Sequence, residues 1–260
     1  MIFRHAIILI ALALLACNRE PYSRSNSGMS ALDKKVLYDF RGTVLPAPPR
    51  LDATTERRVL GAALRDRFVK CPSGQQPGVL PHIAAAAAGS FTAAGAKETA
   101  YLVQVGACDG NPASGANRLL VFAGDRLVAA ADTRYFHILK TYSLTGGDGG
   151  DELLLAGGRG RMGEINTDAA LVRFDKNALA TVENFGSVYH DLCGMFRGAS
   201  EQARKDLVAK GFDPIMDALV ISYLPRPDRR TPPFVAQRYR APCPANENEK
   251  PGNWVRVGEK

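Results

Sequence analysis

Few residues of this chain are equipped for acid–base or nucleophilic chemistry, and they are scattered. Past residue 16 there are three histidines, His82, His137 and His190. His190 is followed by Asp191, and a hydrolytic mechanism would use the pair as base and orienter of a nucleophile. No Gly-x-Ser-x-Gly elbow accompanies them, and neighbours on a strand face opposite ways, so the pair works only in a turn. His82 follows Pro81 ahead of an alanine run, and His137 lies in a strand-like stretch, 135–141, so both read as structural. The acids gather at one place, Asp148, Asp151 and Glu152, inside the glycine-rich run LTGGDGGDE. Carboxylates at a glycine turn can cap the turn's own amides. The glycine run GGRGRMG at 157–163 lacks the Lys-Ser/Thr of a phosphate-binding loop and is read as a loop between strands.

Besides Cys17 the chain holds Cys71, Cys108, Cys193 and Cys243. An even number in an exported chain reads as two disulfides, with three connectivities open. Cys108 and Cys193 flank the most strand-like region and Cys71 and Cys243 sit in proline-flanked turns outside it. The favoured pairing is therefore 108–193 inside 71–243. The competing use is a zinc site on His190-x-x-Cys193, a lone half-motif without the paired spacings such sites show.

The elements that must position these residues are mostly strands. Residues 36–38 form a short strand ahead of the proline-rich PAPPR. A helix then starts at Asp52 or Thr54, with Leu60, Leu64 and Phe68 as its apolar face. Downstream, Tyr101-Leu-Val-Gln-Val-Gly106 matches Leu153-Leu-Leu-Ala-Gly-Gly158. At the same offset of 52 residues, the stretch from Arg118 to Ala130 matches that from Ala170 to Val182. Phe122 meets Phe174 and Leu127 meets Leu179. Each unit is a buried strand, a glycine-rich loop and two strands joined by a tight turn. The units span about 89–140 and 141–192, a length suited to a propeller blade. After Cys193 come a helix capped by Ser200, with Ala203, Leu207 and Val208 inward and Gly211 at its end. Strands at 218–224 and 234–239 follow, then a terminal strand at 254–257 pinned by Trp254, the sole tryptophan.

Two family resemblances follow from quoted residues. The start MIFRHAIILIALALLAC has a basic beginning, apolar residues through 6–16 and the tetrad Leu14-Leu15-Ala16-Cys17. It has the layout of a signal peptide, and 11 apolar residues fall short of the about 20 that span a membrane. Its end resembles the lipobox of bacterial lipoproteins. The resemblance implies cleavage before Cys17 and acylation of that residue, with no transmembrane helix needed for a stable anchor. Asn18 after the cysteine implies the outer membrane, facing the periplasm. Residues 17–35, polar and serine-rich, would be a lipid-anchored tether. The second resemblance is carried by Leu144-Thr-Gly-Gly-Asp148-Gly-Gly-Asp151-Glu152-Leu-Leu-Leu155, which looks like the loop and strand of FG-GAP and VCBS repeats of integrin-alpha-like propellers. Gly89-Ser-Phe-Thr-Ala-Ala-Gly95-Ala-Lys-Glu98 echoes it. The family binds Ca²⁺ in this loop, which here implies Asp148 and Glu152 as ligands. Leu144 and Gly146 stand where the family has acids, and the first unit is poorer still in charge.

The chain has 33 Lys+Arg against 26 Asp+Glu, a formal charge of +7, of which Arg4 lies in the signal. No run of five basic residues occurs, so nucleic-acid binding is not indicated; an anionic envelope polymer or an envelope protein suits the excess better. These observations predict a mainly β body over 36–257, with peripheral helices and antiparallel sheets built from two propeller-blade-like repeats in an unclosed arrangement. The function expected is a membrane-anchored, non-catalytic binding or scaffolding module. Loops 107–117 and 157–168 would be its contact surfaces. The rivals are a calcium-stabilised adhesion-like domain and an envelope hydrolase using His190 and Asp191.

Overall fold

The computed structural model describes residues 34–42, 45–65, 80–106, 116–144, 150–161, 163–175, 178–226, 231–244, 249 and 251–258. Cys17, Cys71, Cys108, Asp148 and the segments 1–16 and 17–33 lie outside the described residues. The fold is mainly β, with antiparallel strands and few, peripheral helices. One sheet has four strands, β2 (His82–Gly89), β3 (Glu98–Gly106), β4 (Ala116–Ala123) and β5 (Arg126–Thr133), in that order. The next four strands, β6 (His137–Tyr142), β7 (Glu152–Arg161), β8 (Glu164–Asp175) and β9 (Ala178–Asp191), form a second meander. This one continues through β10 (Ile215–Tyr223), β11 (Phe234–Pro242) and β12 (Val255–Arg256) into an open eight-stranded sheet that also takes β1 (Lys35–Asp39) at β10.

The 52-residue offset is a feature of the strand register. Leu102 lies opposite Leu119 in the first meander and Leu154 opposite Leu171 in the second. Phe122 lies opposite Leu127, and Phe174 opposite Leu179. Each unit also owns a leading strand, β2 or β6, so the structural units run from 82 and from 137. The alanine-rich sequence 84–88 hides β2, because it lacks the branched and aromatic residues that mark strands.

The two meanders stack front to back. Leu102, Leu119 and Val121 of the first unit share a buried core with Leu153, Val172 and Phe174 of the second. Since alternate strand residues face opposite ways, Tyr101, Val103, Leu120 and Phe122 look outward, where they meet Val59 and Ala63 of α1 (Ala53–Leu64). The helix begins where Asp52 accepts hydrogen bonds from the amides of Thr54 and Thr55, a standard N-cap. Its fully buried positions are Val59 and Ala63, with Leu60 and Leu64 half-buried, a rotation of the expected apolar face. On the far side of the second unit, Leu154, Ala169, Leu171 and Val188 pack beneath Leu37 and Phe40. Those two come from β1 and the 3-10 turn Phe40–Gly42 that follows it.

The loops that open the two units grip each other. Ser90 donates its amide to Asp151 Oδ2 at 2.8 Å, and the Asp151 amide donates to the Ser90 carbonyl at 2.6 Å. Gly150 makes this approach feasible, since a Cβ there would stand 2.3 Å from the carbonyl oxygens of Ser90 and Phe91.

Two further expectations are corrected. Residues 157–168 form a β-hairpin rather than an open loop, with register pairs from Gly157–Asp168 to Arg161–Glu164. Its turn residue Gly163 has φ +86° and lies against Gly194, where a Cβ would stand 2.5 Å from that backbone. Glycines are β-poor by propensity but fit where another backbone approaches closely. The helix α3 (Glu201–Ala209) is capped by Ser200 as expected, yet none of its residues is buried and Val208 is exposed.

Candidate functional site

The eight-stranded sheet splits at one point, and the split makes a site. β10 pairs with β9 only over Met216–Ala218, opposite Tyr189–Asp191. Beyond that, its edge is taken by β1, from Val220 opposite Asp39 to Tyr223 opposite Lys35. The 3-10 turn after β1 lies in the fork, touching both β9 and β10. A cleft of about 600 Å³ opens there, within the size range of small-ligand sites. It is lined by Asp39, Phe40, Arg41, Leu45, Ile165, Thr167, Tyr189, Pro251 and Trp254, among others.

Its chemistry is apolar with one charged corner. Phe40 is buried, Tyr189 and Trp254 are half-buried, and Leu45 and Ile165 leave 45% and 47% of their surface exposed at the rim. In the corner Asp39 grips Arg41: Nε donates to Oδ1 at 3.0 Å and Nη2 to Oδ2 at 2.6 Å. The Arg41 guanidinium lies 4.4 Å from the Tyr239 ring centre, a cation–π contact. Hydrogen bonding from Arg41 holds the Asp39 carboxyl below its ordinary range. Arg41 Nη1 makes no hydrogen bond to the described residues. The Tyr189 hydroxyl is pushed up to about 12, chiefly by burial, with Asp191 beside it at 3.4 Å. It therefore remains a protonated donor at any physiological pH.

Behind Trp254 stands a disulfide, Cys193–Cys243. Cys193 opens the short helix α2 (Cys193–Phe196) and Cys243 follows β11, and both pack with Met216, Ala241 and Trp254. This overturns the expected 108–193 and 71–243 pairing. The reason is that β10 and β11 run as one hairpin from the end of β9, which brings Cys243 back beside Cys193. Of the three connectivities the count permits, only 71–108 is compatible with it. With its sulfur so engaged, Cys193 is not a zinc ligand.

The other described candidate residues lie apart from the cleft's charged corner and from one another. His190 and Asp191 do not meet as a dyad: His190 Nε2 lies 2.8 Å from Glu164 Oε1, whereas Asp191 Oδ1 accepts from the Cys193 amide at 2.7 Å. Strand alternation separates them, since β9 runs on through both. His82 Nδ1 contacts the Leu80 carbonyl at 3.0 Å. Burial lowers the His137 pKa, and its Nδ1 is buried without a hydrogen-bond partner among the described residues. Glu152 is fully buried at the start of β7 and accepts from the Leu144 amide at 2.9 Å. Its counterpart Glu98, also buried, accepts from the amides of Phe91 and Thr92 at 2.6 and 2.8 Å. Among the described residues no group of three or more His, Cys, Asp or Glu could hold a metal ion.

Of the cleft residues, the sequence pointed to Ile165 and Thr167, inside the stretch 157–168 expected to be a contact surface, and to Trp254 as the pin of the terminal strand. Asp39, Arg41, Leu45, Ile165 and Tyr189 were not legible as a group, because the stretches 39–45 and 165–189 that supply them are more than 100 residues apart. No family model, curated protein or solved structure matches the chain.

Proposed function

We propose that this protein is a lipid-anchored binding module of the bacterial cell envelope, with the cleft around Trp254 as its ligand seat. The observation that carries the reading is the cleft itself: a hollow of about 600 Å³ with aromatic and aliphatic walls and one ion pair. A pocket that is mostly apolar with a few convergent polar groups is the default form of a binding site. The His190–Asp191 dyad of the hydrolase reading is not assembled, since His190 lies against Glu164 and Asp191 against the Cys193 amide. The lipobox-like tetrad ending in Cys17 supports the anchor, and the polar, serine-rich sequence after it suits a tether that ends before β1 begins at Lys35.

Two measurements test this. Wild-type protein should fractionate with membranes and incorporate an alkyne-tagged fatty acid, and Cys17→Ser should lose the label; retention of the label would overturn the anchoring residue. Trp254 is the only tryptophan, so its emission reports on the cleft alone. Envelope components should shift it in the wild type, and a set of peptides and glycans that leaves it unmoved would overturn the seat.

A further inference from the structure

We infer that the cleft takes a stretch of polypeptide, with one large uncharged apolar side chain entering between Trp254, Ile165 and Leu45 and a neighbouring backbone carbonyl meeting Arg41. The inference rests on the cleft being a ligand seat and specifies the ligand's chemistry.

The walls decide against a sugar. A glycan ring stacks on an aromatic face, but its hydroxyls need partners all round. The rim here is Leu45, Ile165 and Pro251, whose side chains offer hydroxyls nothing; Asp39 is already engaged by Arg41 and the Tyr189 hydroxyl faces Asp191, which leaves Thr167 as the one other hydroxyl in the lining. A hydroxyl desolvated without a partner weakens binding. An acyl chain fits the aliphatic rim but would cover the charged corner, stranding the Nη1 donors of Arg41 in an apolar contact. An anion is disfavoured too, because the Asp39 carboxylate lies 2.6 Å from the same guanidinium and cancels its charge. The remaining ligand combines a bulky apolar group with a neutral acceptor a few ångströms away. A polypeptide supplies that combination at every apolar residue, since each is flanked by backbone carbonyls. Arg41 is pre-organised to receive one: Asp39 fixes its Nε and Nη2 edge, the Tyr239 ring fixes its plane, and Nη1 makes no hydrogen bond to the described residues. Donors held in place before binding lose less freedom on complex formation.

The test uses the full chain in detergent micelles and a phage-displayed random heptapeptide library. Selected sequences are resynthesised with acetylated N-termini and amidated C-termini and titrated against Trp254 fluorescence. The expected result is a selected set sharing one large apolar residue, binding that shifts Trp254 emission, and at least tenfold weakening in Ile165→Glu. Ile165 is half exposed, so this variant should fold, which its melting temperature verifies. Val208→Glu, far from the cleft on α3, should bind as the wild type does. Peptides that bind only with a free carboxylate, or equally well to Ile165→Glu, would overturn the inference. A tetramer of β-linked N-acetylglucosamine is the parallel probe. A Trp254 shift with it and none with peptides would overturn the peptide assignment and leave the binding module standing. Silence from both would sink both readings.

Discussion

At the residue scale the buried acids of the two units act alike. Glu98 and Glu152 each open the second strand of a unit, and each turns a carboxylate onto amides of the loop before it. This is the alternative to an oxygen cage: the acid satisfies backbone donors that would otherwise be buried unpaired. Glu98→Ala removes two amide bonds and a hydroxyl bond from Thr92, and should lower stability by about 1–3 kcal/mol in urea unfolding. Because Glu152 already serves Leu144, thermal unfolding in EDTA and in millimolar Ca²⁺ should superimpose. A rise of several degrees with Ca²⁺ would instead mean that the loop binds the ion, since a ligand of the folded state alone raises its stability. His137 supplies a pH effect. Burial lowers its folded pKa, so below the ordinary value of about 6.5 the unfolded chain takes up a proton that the folded chain resists. Stability from this group is complete above that value and is lost as pH falls toward the folded pKa. The urea midpoint should therefore drop between about pH 7.5 and 5.5, and His137→Gln should flatten that drop. An equal drop in the variant would place the effect elsewhere. Asp39, whose pKa is also lowered, titrates below this window.

At the element scale, the departures from simple periodicity are where the fold is least legible and most informative. β9 reads poorly as a strand because its inward residues, Val182, Phe185 and Val188, recur every three positions, which matches neither a strand nor a helix. The register against β8 shifts three times, and these three residues are the ones left out of the pairing. Each is the extra residue of a β-bulge, which bends the strand and re-aims a side chain. All three thereby reach the same core, where Phe185 meets Phe234 edge-on at 5.5 Å. The bending also carries β9 away from β10 after three paired residues, which makes room for β1 and the cleft. No local pattern could announce this, since bulges follow from packing across the sheet. The disulfide is the second device at this scale. It joins residues 50 apart and backs the Trp254 wall, while β12 holds the tail to β11 by only two register pairs. Reduction should cost about 2–4 kcal/mol. With it, acrylamide quenching of Trp254 should rise well below the melting temperature, as the tail segment loosens from the cleft. Quenching that is unchanged in the reduced, still folded protein would show that β12 and the core hold the wall unaided.

For the whole molecule, the repeated 52-residue offset carried much of the architecture, because a repeated pattern of strand, loop and hairpin is written in local residues such as Phe122 and Phe174. What it left open is how the units meet and what closes their outer faces. Equivalent leucines meet different surroundings: Leu102 faces the second unit, whereas its counterpart Leu154 faces β1 and the 3-10 turn. Front-to-back stacking of this kind leaves one unsatisfied face at each end. Here α1 closes the first, and β1 with the β10–β11 hairpin closes the second. Neither unit is therefore a self-sufficient domain, since the shared core of Phe91, Leu102, Leu119, Leu153 and Val172 belongs to both. This predicts a single cooperative transition across residues 34–258. Far-UV circular dichroism reports on all the strands, whereas Trp254 reports on the end of the sheet opposite β6. The two melting curves should coincide, as they do for a two-state unfolding. Leu153→Ala, which opens a cavity between the units and touches neither the cleft nor Trp254, should shift both curves down together by an amount equivalent to about 2–5 kcal/mol. If it moved the dichroism curve and left the Trp254 curve in place, the sheet extension that carries the cleft would be folding on its own, and the stacked units would be a platform for it rather than part of the same body.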